Sequence, residues 1–144
     1  MTLEDKLLLL KDLCSRLPYA VIVQYGNIVD NIQYIEPDFG KICLAFPNND
    51  YTVDIEDVKP YLRPMSSMTE EEKEELKNLF DAEYVTSGSI CYLEGGTLVE
   101  YLSPIPYSFC SKIIDWLLKN HFDYRGLIPK GLAIEITKEN NPYR

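Results

Sequence analysis

At 144 residues, with 46% hydrophobic and 26% charged side chains, the chain can build one ordinary domain or two small lobes sharing a core, and its composition is not that of a disordered chain. Its 14 Lys and Arg against 23 Asp and Glu give a formal net charge of −9, with 5 basic and 10 acidic residues up to Pro60 and 9 and 13 after it. Both parts are acidic and carry no run of Lys or Arg, which argues against direct binding of a nucleic-acid phosphate backbone.

Thr2 and Asp5 mark a helix start, a capping box with Asp in place of Glu. Leu3, Leu7, Leu10, Cys14 and Leu17 then fall four and three apart, an apolar seam widened by Leu8, Leu9 and Leu13, until Pro18 stops the helix. Because the seam is shorter than three heptads, it is expected to dock on its own domain rather than to form a dimer. Ala20–Tyr25 and Ile28–Ile35 flank Gly26-Asn27, a two-residue hairpin connection in which Gly supplies the positive φ. Lys41–Phe46 and Tyr51–Ile55 follow across the turns Glu36–Gly40 and Pro47–Asp50. These four strands predict an antiparallel meander; curled on itself, with the first helix over one open side, it is an SH3-like half-barrel. Glu56–Pro64 is expected to leave the sheet as an extended, proline-bounded linker.

Ser66–Phe80 carries a full capping box in Thr69 and Glu72, with Glu70 and Glu71 on the positive end of the helix dipole. Its Glu run predicts a helix start with a solvated face. Ser87–Leu93 and Thr97–Leu102 can pair as a second hairpin across Glu94-Gly95-Gly96. Cys110, Ile113, Ile114, Leu117 and Leu118 then recur at i, i+3, i+4, i+7 and i+8, which predicts a helix over Ser108–Asn120 and makes it the element on which the rest packs. Gly126 and Gly131 mark turns after it, Leu132–Ile136 alternates like a strand of the second sheet, and Thr137–Arg144 is expected to fray.

Cys14, Cys43, Cys91 and Cys110 form no close pair and lie among apolar neighbours, so buried free thiols are expected. The apolar Leu run near the N-terminus is flanked by Glu4, Asp5, Lys6, Lys11 and Asp12, unlike a signal peptide or a membrane span. A cytoplasmic protein is the expectation.

Two segments, DVKPYLRPMSSMTEEEKEEL at Asp57–Leu76 and IDWLLKNHFDYRGLIPKGLAIE at Ile114–Glu135, together about a third of the chain, resemble a family of short uncharacterised proteins of gut bacteria and their phages or prophages. That family has no established activity and brings no catalytic or binding residue with it. The resemblance implies a bacterial, phage-related setting.

The chemistry-bearing residues are sparse. His121 is the only histidine, so any Ser-His or Cys-His arrangement must use it, with Ser66, Ser67 or Cys110 as nucleophile and Asp115 or Asp123 to orient it. No nucleophile-elbow motif accompanies these residues, and a position near a helix C-terminus explains the histidine as well. One His and four scattered Cys do not make a zinc site. Asp54, Glu56 and Asp57 lack a Gly-centred calcium loop and read as a solvated strand end, although paired carboxylates of this kind also serve glycoside hydrolysis. Gly95-Gly96 has no Lys-Ser/Thr behind it and Gly88 stands apart, so no phosphate cradle is present. No cofactor is expected.

The richest polar cluster is the loop after the predicted helix. There Asp123 and Arg125 can tether the helix end to the preceding lobe, while Tyr124 and Arg125 are residue types that dominate binding hot spots. His121, Asp123, Tyr124 and Arg125 are therefore the candidate binding residues. The expected fold is α+β: a helix-plus-meander lobe over 1–64, then an α+β lobe over 65–144 around the helix 108–120, the two expected to form one compact unit. The expected function is that of a small, acidic, non-enzymatic protein whose partner is another protein, with no nucleic-acid or membrane binding. The alternatives are a hydrolase-like enzyme using His121 with nearby carboxylates, and a phage-encoded DNA mimic.

Overall fold

The computed structural model describes every residue except 37, 39, 46–50, 79–90, 95, 96, 101–106 and 144, with residues 51, 77, 91–94, 97–100 and 107–111 described by backbone alone. The fold is α+β. Its chain divides into two units, Met1–Arg63 with Arg125–Arg144, and Pro64–Tyr124. The C-terminal residues from Arg125 thus group with the first unit and not with the segment that precedes them.

The first unit opens with helix α1, Leu3–Arg16, whose N-cap Thr2 accepts a hydrogen bond from the Asp5 amide at 3.1 Å. Pro18 ends it through a 3₁₀ turn, and Ala20 then reverses the chain with φ +57°. Strands β1 (Ile22–Tyr25), β2 (Ile28–Glu36), β3 (Lys41–Leu44) and β4 (Tyr51–Asp54) pair antiparallel in succession, as the meander requires. Of the two residues between β1 and β2, Gly26 carries the positive φ, +56°, which an L side chain would resist. The register of β2 on β3 slips by one residue between Ile32 and Tyr34, a bulge at Gln33 that bends the long strand where it changes partners. The Phe46 end of the expected third strand and the Pro47–Asp50 turn lie outside the described residues.

The sheet is larger than the meander and is mixed. Val58–Leu62, expected as a linker, is strand β5, antiparallel to β1 with Val23 opposite Pro60. Its Val58, Pro60, Tyr61 and Leu62 are buried, and that burial outweighs the proline signal. Pro60 is tolerated because it takes a position whose nitrogen points away from β1. The neighbouring Ile22–Tyr61 level is the one with groups aimed between the strands. Ile134–Glu135 is strand β8, parallel to β5 and not part of a second sheet, so the strand order is β4-β3-β2-β1-β5-β8.

Leu9 and Leu13 of α1 pack onto Val21, Val23, Ile42, Leu44, Ile55, Val58, Leu62 and Leu127 to form this unit's core. The tail is not frayed. Asn140 accepts from the Thr137 amide and donates to the Glu135 carbonyl, and Tyr143 bonds to the sheet.

In the second unit, helix α2 is Glu70–Asn78, and its capping box is reciprocal. The Thr69 amide donates to Glu72 Oε1 at 3.0 Å and the Glu72 amide to Thr69 Oγ1 at 3.1 Å. Residues 79 and 80 of the expected helix lie outside the described part. Strands β6 (Cys91–Glu94) and β7 (Thr97–Glu100) form the expected second hairpin over its described part. Helix α3, Tyr107–Lys119, buries Ile113, Trp116 and Leu117 against Met65, Met68, Leu76 and Phe122. Its described residues Ile113, Trp116 and Leu117 make it the central helix of this unit's core.

Candidate functional site

Helix α1 presents two unlike faces. The inner face is Leu9, Asp12, Leu13 and Arg16, at i, i+3, i+4 and i+7, and all four are buried. The expected docking seam is split: Leu3 is 71% and Leu7 56% exposed and Cys14 is exposed, while Leu10 and Leu17 are half-buried and pack against the core. That corrects the expectation of a buried Cys14, while the expected docking of the leucine-rich helix on its own domain holds through Leu8, Leu9, Leu10, Leu13 and Leu17. A helix with leucines nearly all round can bury only the side on which the sheet sits. Cys43 is buried as expected, and the side chains of Cys91 and Cys110 lie outside the described residues.

The inner face carries a buried charge cluster. Arg16 donates from Nε and Nη2 to the two Asp12 carboxylate oxygens, at 2.6 and 3.2 Å, and both residues are 0% exposed. Arg125 donates from Nη1 to Asp12 Oδ1 at 2.9 Å and from Nη2 to Ser15 Oγ at 3.3 Å. The forked guanidinium geometry makes these strong, directional bonds, and they hold the chain after Tyr124 to α1.

Tyr143 completes the framework. The β1–β5 register runs Tyr25–Val58, Gln24–Lys59, Val23–Pro60, so the next level is Ile22–Tyr61. There Tyr143 Oη accepts from the Ile22 amide at 3.1 Å and donates to the Tyr61 carbonyl at 3.0 Å. The phenol thus takes the place of a ladder bond where β5 turns from β1 toward β8. Burial pushes its pKa up to about 12, against the opposing pull of the Ile22 amide.

Of the residues singled out from the sequence, Arg125 belongs to this first-unit cluster, while His121, Asp123 and Tyr124 belong to the second unit. Asp123 is buried and Tyr124 packs beside the α3 core. His121 has a clear backbone role. Its amide donates to the Leu118 carbonyl at 3.0 Å and the Phe122 amide to the Leu117 carbonyl at 2.9 Å, the paired bonds of a Schellman helix end. His121 holds the left-handed position usually given to Gly, with φ +63°. Phe122 stacks on Trp116 with ring centroids 5.7 Å apart, the apolar contact that accompanies this motif.

No family model, curated protein or solved structure matches this chain. Its own residues carry the functional reading.

The carboxylate group beside β4 is engaged with lysines. Asp54 accepts a hydrogen bond from Lys41, which holds the Asp54 carboxyl below its ordinary range and raises Lys41, and Glu56 lies 3.4 Å from Lys6 Nζ. Asp57 lines an open surface depression of about 330 Å³ with Gln24, Gly26, Lys59 and Ile134. Among the described residues no group of three or more His, Cys, Asp or Glu is placed to hold a metal ion, and no helix is long and apolar enough to cross a membrane.

Sequence reasoning missed the outer face of α1 as a surface and the Asp12–Arg16–Arg125 cluster. The strict four-three leucine spacing was a usable signal for the first. Nothing local pairs Asp12 with Arg125.

Proposed function

We propose that this is a protein-interaction module whose docking surface is the outer face of α1. The observation that supports it is the exposure of Leu3 and Leu7, four residues apart beside exposed Cys14. Full burial of one leucine side chain is worth about 1.5–3 kcal/mol, so a partner covering this stripe gains binding energy that the fold leaves unused. The charged residues along the stripe, Glu4, Lys6 and Lys11, provide the polar rim that such a surface needs. Bending at the β2 bulge, with α1 over the sheet, supports a half-barrel as the platform on which the helix is displayed. The bacterial, phage-related setting implied by the sequence resemblance fits a small adaptor of this kind.

The test is affinity capture from bacterial lysate that also contains an untagged copy of the chain, with wild type and Leu3→Glu/Leu7→Glu as baits. Loss of at least one specifically captured protein, the untagged copy included, is the expected result. An unchanged set of captured proteins, with the variant folded by circular dichroism, overturns the proposal.

A further inference from the structure

Resting on that reading of α1, we propose that the occupant of the outer face is a second copy of this chain, docked helix to helix and antiparallel. The stripe Leu3, Leu7, Leu10, Cys14 follows the four-three-four spacing of a two-helix seam; Leu3, Leu7 and Cys14 are exposed, and Leu10 is half-buried at the edge of the chain's own core.

Charge selects both the partner and the direction. Glu4 and Lys11 are seven residues apart, so they flank the same side of the stripe, and both are exposed. In an antiparallel pair with Leu7 opposite the second copy's Leu10, and Leu3 opposite its Cys14, Glu4 of each copy lies alongside Lys11 of the other. The two-fold axis makes that opposite-charge pair twice. A parallel, in-register pair would instead bring Lys11 to the Lys6 side of the other copy, where the Lys6 ammonium already faces Glu56, and would give Glu4 no opposite charge. A pattern that complements itself under two-fold rotation is what an isologous interface requires.

The local charge also favours self-docking. The chain carries −9 overall, but within α1 Glu4, Asp5 and Asp12 balance Lys6, Lys11 and Arg16. Two copies can therefore meet here without bringing their excess acidity into contact. At 14 residues the helix is about 21 Å long, so the seam has two central leucine layers and the association is weak and concentration-dependent.

Sedimentation equilibrium across a concentration series tests the proposal. The wild-type chain is expected to dimerise, and Leu7→Glu, with an unchanged circular dichroism spectrum, to remain monomeric. Glu4→Lys and Lys11→Glu each raise the dimer dissociation constant by roughly tenfold, and the double exchange restores it. Under a mild oxidant, the thiol introduced by Leu3→Cys is expected to trap a covalent dimer that the further change Cys14→Ser abolishes. A wild-type chain that stays monomeric at millimolar concentration overturns the proposal. So does a dimer that Leu7→Glu leaves intact, or trapping through Cys14 of both copies in the native chain. If self-association fails while Leu3→Glu/Leu7→Glu still loses another captured protein, the docking reading of α1 stands and only its occupant is wrong. If the capture set is also unchanged, both fall.

Discussion

Removing the carboxylate of Asp12 is the most severe single perturbation of the first unit's framework. Asp12 and Arg16 are both 0% exposed, and the carboxylate accepts bonds of 2.6 and 3.2 Å from Arg16 and 2.9 Å from Arg125. In Asp12→Ala, two guanidinium groups surround a site that has lost its negative charge. The cost of breaking a buried ion pair in this way is about 3–5 kcal/mol, a large part of a domain's total stability. Arg125→Ala is milder, about 1–2 kcal/mol, because the Arg125 side chain is 15% exposed and Asp12 keeps its bidentate Arg16 partner. Replacing both members of the buried pair, Asp12→Leu with Arg16→Leu, removes the desolvation penalty along with the attraction and should cost less than Asp12→Ala alone. Urea denaturation followed by far-ultraviolet circular dichroism measures these differences. The only Trp, Trp116, lies in the second unit, so its fluorescence follows that unit. A cost below about 1 kcal/mol for Asp12→Ala, or a double variant as unstable as the sum of its singles, would refute the reasoning.

Two further outcomes follow from the backbone and the phenol. His121→Gly should raise the unfolding free energy of the second unit by about 0.5–1 kcal/mol, because Gly holds the left-handed C′ position without Cβ strain. Thermal melts of the two proteins check it, and a loss of stability would show that the imidazole's contacts outweigh the strain. Hydrolytic activity lost in that stable variant would favour the hydrolase alternative instead. For Tyr143, the folded protein holds the phenol proton more tightly than the unfolded chain does. Its contribution is therefore present in full below pH 10 and lost as pH rises through about 12, a fall of roughly 2–3 kcal/mol. Tyr143→Phe, compared with wild type in denaturant titrations across that window, should show a shallower decline, and identical slopes would refute the assignment.

The elements that rest on short-range chemistry were legible in the sequence. Thr2 and the Thr69–Glu72 box start their helices where the capping residues say, Pro18 ends α1, and Gly26 with Asn27 sets the first hairpin. The apolar periodicity of Ile113 to Leu118 made α3. Each of these signals lies within a few residues, where sterics and backbone hydrogen bonding act directly.

Tertiary packing decided the rest, through interactions between residues far apart in the chain. The α1 sequence offers more leucine than one sheet can cover. The face chosen for burial holds Asp12 and Arg16, which look like surface residues until Arg125 joins them, and Leu3, Leu7 and Cys14 of the regular seam are left outside. Val58–Leu62 reads as a linker because of its proline, yet β1 offers it a paired edge that tolerates the missing amide. Tyr143 looks like a frayed end, yet its hydroxyl meets Ile22 and Tyr61 across more than half the chain's length. Local propensity set most of the helices and the meander strands; the β5 strand, and which face of each element stays dry, depend on partners that only the folded chain brings together.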